Sequence, residues 1–129
     1  MTAIKICGIT RLDDATLTQL GGVADALGLA ALVEVHTAQE CDRAVACGAR
    51  IIGVNNRNLR TLVVDLEASH TIANRIPSDV IAVSESGLRT LGELRTMTAL
   101  GYHAFLIGER FMTDSDPAGA IHALTLLLP

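Results

Sequence analysis

Four apolar runs in this chain each end in a cluster of polar residues or glycine. They are Leu32-Val33-Glu34-Val35-His36, Ile51-Ile52-Gly53-Val54-Asn55-Asn56-Arg57, Val80-Ile81-Ala82-Val83-Ser84-Glu85-Ser86-Gly87 and Ala104-Phe105-Leu106-Ile107-Gly108-Glu109-Arg110. Continuous Val, Ile and Leu runs of this length read as buried parallel strands. Strands that turn polar only at their C-terminal ends point to a parallel sheet covered by helices, with its chemistry gathered at that end. Composition agrees. Half of the chain is hydrophobic but only 2% is aromatic, so the core is built from Ala, Val, Ile and Leu.

Strands are expected near residues 3–8, 31–36, 50–55, 79–84 and 104–108, and helices near 13–27, 38–47, 65–75, 90–100 and 117–127. Thr37 with Glu40, and Thr90 with Glu93, have the spacing of capping boxes, in which side chain and backbone satisfy each other's orphan N–H groups. Asp116-Pro117 puts a cap before a proline at the first helical position. Gly48 and Gly101 follow their helices where a left-handed residue is wanted, and Pro77 stops the third helix. Gly21-Gly22 weakens the first helix by about 1 kcal/mol per glycine and predicts a bend or break there. Ala26-Leu27-Gly28, Ala46-Cys47-Gly48 and Ala99-Leu100-Gly101 form a weak internal repeat, each closing a helix before a strand.

The alternation predicts one α/β domain over residues 1–129 made of five βα units. Two arrangements fit. One is a (βα)5 parallel-sheet fragment of a TIM (β/α)8 barrel, with all helices on one face. The other is a flavodoxin-like doubly wound open sheet with helices on both. A complete barrel takes about 250 residues, so 129 do not close one.

The net charge is −4, with a single lysine and nine scattered arginines, so no basic run invites nucleic acid or an anionic membrane. No apolar stretch reaches the roughly 20 residues of a membrane span, and no leader pattern is present. Cys7, Cys41 and Cys47 show no metal-ligand spacing and read as reduced thiols. The expectation is a cytoplasmic protein with neither metal nor cofactor.

The strand tips, together with Asp65-Leu66-Glu67, resemble indole-3-glycerol phosphate synthase of tryptophan biosynthesis, in order and at similar spacing from about Leu12 to Leu128. They correspond to the C-terminal half of that barrel. Lys5-Ile6-Cys7-Gly8-Ile9-Thr10 instead resembles the first strand of phosphoribosylanthranilate isomerase, whose cysteine is the catalytic base. The chain thus reads as a chimera of one isomerase-type strand and half a synthase barrel.

The resemblance implies a lyase-type decarboxylase. It closes an indole ring from an anilino-deoxyribulose phosphate with loss of carbon dioxide and water. It implies catalytic roles for Glu34, Asn55, Glu85 and Ser86, and contacts to the substrate and its phosphate from Arg57, Gly87, Gly108 and Glu109. Each has a plainer reading. Glu34 caps a neighbouring loop, Asn55-Asn56 is a turn, and Gly87 and Gly108 are turn glycines. Arg57 is suited to a planar fork on a carboxylate. The Glu109 side chain would repel phosphate, leaving its N–H to help. Cys7 serves as a base only if its pKa is depressed, and a small core residue is the alternative. His36 is expected to be a loop histidine.

The family's lysines come from earlier strands that have no counterpart here. Lys5, at the start of the first strand, is expected at the bottom face, away from the chemistry. General acid–base groups contribute about 10²–10⁴-fold each, so weak or no turnover is expected from the chain alone. Alternatives are a non-catalytic or engineered scaffold with inherited residues, and an isomerase acting through Cys7. Small phosphorylated molecules or phosphate are the expected ligands. Open sheet edges favour homodimers or other self-association.

Overall fold

The computed structural model describes residues 2–125. Five strands, β1 (Ala3–Ile6), β2 (Ala30–Val35), β3 (Ile51–Asn55), β4 (Ile81–Glu85) and β5 (Ala104–Leu106), alternate with α1 (Asp14–Ala26), α2 (Ala38–Ala46), α3 (Glu67–Ala73) and α4 (Leu91–Ala99). After β5 come a four-residue helix, α5 (Glu109–Met112), and α6 (Pro117–Thr125).

All pairings between these five strands are parallel and the spatial order is β1-β2-β3-β4-β5. That order separates the two arrangements. Right-handed crossovers that always step to the next strand lay every connecting helix on one face. A doubly wound sheet reverses its order, and this sheet does not. It is a (βα)5 arc of a barrel.

Alternation along each strand then sorts the side chains. Ile6, Val33, Val35, Ile52, Val54 and Ala82 pack beneath the helices with Leu17, Cys41, Ile72, Leu94 and Met97. Their strand neighbours Lys5, Leu32, Glu34, Ile51, Gly53, Asn55, Val83, Glu85 and Leu106 belong to the opposite, helix-free face. Ile81 and Leu106 on that face are each 47% exposed.

Both capping boxes form. Thr37 and Thr90 each accept from the N–H of the glutamate three residues on, and the glutamate reaches back. Gly48 and Gly101 take φ of 81° and 100° at their helix ends. Asp116 Oδ1 accepts from the Gly119 N–H at 3.0 Å and caps α6.

The expected break at Gly21-Gly22 does not occur, and α1 runs through both glycines, its start held by the Asp13 cap. β1 ends at Ile6 rather than residue 8 because Gly8, at φ 64°, turns the chain into a single 3-10 turn over Ile9–Arg11. Residues 126–127 of the last expected helix lie outside the described residues. Among the described residues, no helix is long and apolar enough to cross a membrane. No group of three or more His, Cys, Asp or Glu among them is placed to hold a metal ion.

Candidate active site

Register builds the site. Glu34 lies beside Gly53, Gly53 beside Val83, and Asn55 beside Glu85, so Glu85 stands one inward level above Glu34. Gly53 is the notch between them. A Cβ there would overlap Glu85 Oε1 and lie 3.2 Å from Leu32 Cδ2, so only glycine lets the Glu85 carboxylate settle toward Glu34.

Lys5 is in register with Leu32, one inward level below Glu34. Its Nζ nevertheless sits between Glu34 Oε2 and Glu85 Oε2, bonded to both. The expectation that Lys5 lies away from the chemistry is therefore overturned. Two residues of strand rise about 6.6 Å, a distance the four-carbon stem of lysine spans.

Glu34 and Glu85 are each only 3% exposed. Two buried carboxylates side by side are costly unless paired, and the Lys5 ammonium is that pairing. Burial pulls the Lys5 pKa down, but the hydrogen bonds and charges of the two glutamates outweigh it and leave it raised. Burial likewise pushes the Glu85 pKa up, only partly offset by Lys5. Among the described residues, Glu85 Oε1 is buried without a hydrogen-bond partner.

His36, in the bend just past the end of β2, joins this group. Its Nε2 lies 3.2 Å from Glu34 Oε1 and its Nδ1 3.3 Å from the Asn55 carbonyl. Both neighbours are acceptors for ring N–H groups. The α2 capping box holds this strand tip, because Glu40 Oε2 accepts the His36 N–H at 2.6 Å as well as that of Thr37 at 3.2 Å.

The two asparagines divide differently from expectation. Asn55 Oδ1 accepts the Arg57 N–H at 3.0 Å, which is the turn role. Asn56, 3% exposed, clamps two strand tips. Its Nδ2 donates to Ser84 Oγ, Glu85 O and Ser86 O, all at 3.1 Å, and its Oδ1 accepts the Ser69 N–H at 3.1 Å. Asn56 thus holds Glu85 and Ser86 in place.

Ser86 and Gly87 both take left-handed φ, 67° and 79°. A Cβ on Gly87 would collide with Val64 of the β3–α3 loop. Glycine at this position is therefore demanded by the turn itself. At Gly108 a Cβ would meet nothing within 4 Å, so that tip faces open space.

The space above Gly108 is a groove of about 460 Å³ between the β4 and β5 tips, bounded by Lys5, Glu85, Ser86, Gly87, Arg57 and Arg89 among others. The Glu109 carboxylate projects into its cationic rim. One oxygen pairs with Arg57 and the other lies 3.6 Å from Arg89 Nη2. Arg110 instead pairs with Asp114. A larger cavity of about 560 Å³, between α1 and the starts of β2 and β3, contains none of the strand-tip residues.

Cys7 is exposed. Slight burial raises its pKa and the Glu34 charge raises it further. A thiol serving as a base at neutral pH needs the opposite shift, and the exposed Cys7 is not the small core residue of the alternative reading. His36 and Lys5 both stand in recognisable motifs, but sequence alone assigned neither a role in the site, because what brings them to Glu34 is strand register and side-chain reach.

Known proteins bear on this arrangement. A sequence profile of indole-3-glycerol phosphate synthase matches residues 6–124, beginning just after Lys5. The indole-3-glycerol phosphate synthase of Variovorax paradoxus is 46% identical over 113 residues, covering 88% of this chain and 42% of that protein. The one from Chloroherpeton thalassium is 49% identical over 106 residues, covering 82% and 41%. The chain thus spans less than half the length of these relatives.

Among solved structures, thiamine phosphate pyrophosphorylase from Pyrococcus furiosus superposes with a TM-score of 0.68 at 16% identity, covering 95% of this chain and 55% of that one. A 3-hexulose-6-phosphate synthase gives 0.64 at 17%, covering 95% and 58%. At such identities these show the fold alone. The order of the tips, the profile match and the level of identity together establish that this chain belongs to the indole-3-glycerol phosphate synthase family.

Proposed function

We propose that this chain binds the phosphorylated substrate of indole-3-glycerol phosphate synthase at its strand tips and turns it over weakly. The observation that carries the reading is the Lys5 ammonium seated between Glu34 and Glu85 on the open face, next to the groove at Gly108. Ring closure requires a proton for the carbonyl oxygen as the new carbon–carbon bond forms. Loss of water later requires one for the departing hydroxyl. Lys5, held protonated by its two carboxylates, supplies the donor, and Glu34, oriented by His36, is the proton-transfer carboxylate. The phosphate lies in the groove by Gly87 and Gly108, with Arg57 and Arg89 at its rim. Glu85 and Ser86 line the approach, and Asn55 contributes through the turn that places Arg57.

An indole-glycerol phosphate fluorescence assay with the deoxyribulose substrate tests this. Turnover above the no-enzyme rate, lost in Glu34→Gln and in Lys5→Met, is the expected result. A rate equal to the blank, with no phosphate binding by calorimetry, leaves a scaffold carrying inherited residues. The isomerase reading has less support, because the Cys7 thiol is shifted away from the thiolate.

A further inference from the structure

Just past the end of β4 the chain carries a strained residue. Ser86 takes φ of 67°, in the left-handed region that side chains other than glycine rarely adopt. Left free, such a residue prefers other conformations by a factor of about ten, and it stays left-handed only where its surroundings hold it. Here one side chain does much of the holding. Asn56 Nδ2 donates to the Ser86 carbonyl and to the Glu85 carbonyl before it, both at 3.1 Å. The Asn56 backbone N–H also donates to the Glu85 carbonyl, at 2.9 Å. The other end of the same side chain grips α3. That helix has no side-chain cap from its own N-cap residue, Leu66. Ser69 lies in its first turn, where backbone N–H groups lack partners within the helix, and its N–H donates to Asn56 Oδ1 at 3.1 Å. Ser69 is itself pinned. Its Oγ lies 2.9 Å from Ser84 Oγ, and its carbonyl accepts from the Tyr102 hydroxyl at 2.8 Å. All four of these polar side chains are buried. Val54 and Ala82, the helix-facing neighbours on the same strands, are apolar. Apolar residues at 56 and 84 would pack with no bonds to satisfy, but they could not hold the Ser86 carbonyl. An amide offers an acceptor for α3 and donors for the β4 tip in one side chain.

We propose that Asn56 is a positioning residue of the strand-tip groove. Anchored on α3 through Ser69, it holds the Ser86 carbonyl, keeps Ser86 left-handed and so turns Ser86 and Gly87 toward the ligand. Both residues line the groove of about 460 Å³, and Asn56 does not. The Ser86 N–H is taken by the Leu106 carbonyl at 3.3 Å. Ser86 is therefore fixed at both of its backbone polar groups, and the direction of the Gly87 N–H that follows is fixed with it. The effect of Asn56 on affinity presupposes the reading of this groove as the phosphate site, whereas its hold on Ser86 does not. Control of ligand binding is thereby assigned to a buried residue that touches no ligand and acts through its neighbour.

Asn56→Asp tests this, because it keeps the acceptor for Ser69 and removes the donors to the β4 tip. Binding of inorganic phosphate, measured by titration calorimetry, should weaken about tenfold in Asn56→Asp. Glycine takes positive φ without being held, so in the Ser86→Gly background the same substitution should weaken binding less than about threefold. The HN–Hα coupling and amide shift of Ser86, read by nuclear magnetic resonance, should move in Asn56→Asp. A residue that served packing alone would leave both in place. Asn56→Ser, which is neutral, carries the same measurements if Asn56→Asp prevents folding. The proposal is overturned by equal weakening in both backgrounds, by an unchanged Ser86 coupling in a folded Asn56 variant, or by loss of folding in both Asn56 variants that Ser86→Gly does not restore. Absence of phosphate binding in the parent refutes the phosphate reading alone. The Ser86 coupling then decides the role of Asn56, upholding it if the coupling moves and overturning it if it does not.

Discussion

Replacing Lys5 by methionine removes the ammonium but leaves a stem of similar bulk, and so isolates the charge at the centre of the site. Breaking a buried ion pair by deleting one partner costs about 3–5 kcal/mol, whereas an exposed pair is worth about 0–1. The two carboxylates are almost fully buried but the Lys5 side chain is 38% exposed. Water screens the pair accordingly, and an intermediate loss of about 1–2 kcal/mol is expected near neutral pH. With a urea slope of about 2 kcal/mol/M, the unfolding midpoint should fall by about 0.5–1 M. The loss should depend on pH. Burial already holds the Glu85 pKa above its ordinary 4.5, and without Lys5 it rises further. Between the ordinary and the raised value the folded state binds more protons than the unfolded chain, so stability increases as pH falls through that window. The deficit of the variant should therefore shrink as the pH is lowered from 7 toward 4.5. Adding Glu85→Gln to Lys5→Met should recover at least half of the loss, since the pair is coupled. A loss of equal size at both pH values, or strictly additive costs in the double variant, would refute the bridging role of Lys5.

Gly53→Ala should push the Glu85 carboxylate off Lys5 and cost about 1–3 kcal/mol; a thermal melt unchanged from the parent would show that Glu85 has another place to go. Cys7 should react with iodoacetamide at pH 8 more slowly than a free cysteine peptide, because its pKa is raised by burial and by Glu34. Glu34→Gln should speed that reaction, and an unchanged rate would remove Glu34 as a cause. Glu109→Gln frees Arg57 and Arg89 for an anion, and titration calorimetry should show phosphate binding up to about fivefold tighter, the worth of an exposed ion pair. Equal or weaker binding would place the anion elsewhere.

Most of the fold was legible because the interactions that set it are short in sequence. Capping boxes link residues three apart, the left-handed glycines act at one position, and apolar runs mark strands by themselves. Where these signals were misread, a local preference lost to its surroundings. Gly21-Gly22 lowers helix propensity, but α1 is held by its Asp13 cap and by Leu17 and Ala24 against the sheet. Gly8 ended β1 early because its positive φ admits no strand. The choice between a barrel arc and a doubly wound sheet needed strand order, which is a property of the whole sheet.

The site divides along the same line. The sequence by itself determined that polar groups collect at the C-terminal strand ends, and that Glu34, Glu85, Ser86 and Gly108 are among them. Only the tertiary structure decided what they do to one another. Lys5 and Glu85 are 80 positions apart, and they meet because adjacent parallel strands hold a fixed register and a lysine stem spans two residues of rise. Asn56, and not Asn55, became the clamp because its side chain lies beneath the helices, where Ser69 and Ser84 leave hydrogen-bonding groups to satisfy. His36 entered the site because a capping box turned its strand tip toward Glu34. Periodicity and spacing report which face a residue occupies, while partners across strands depend on register, on side-chain reach and on the cost of leaving a buried charge alone.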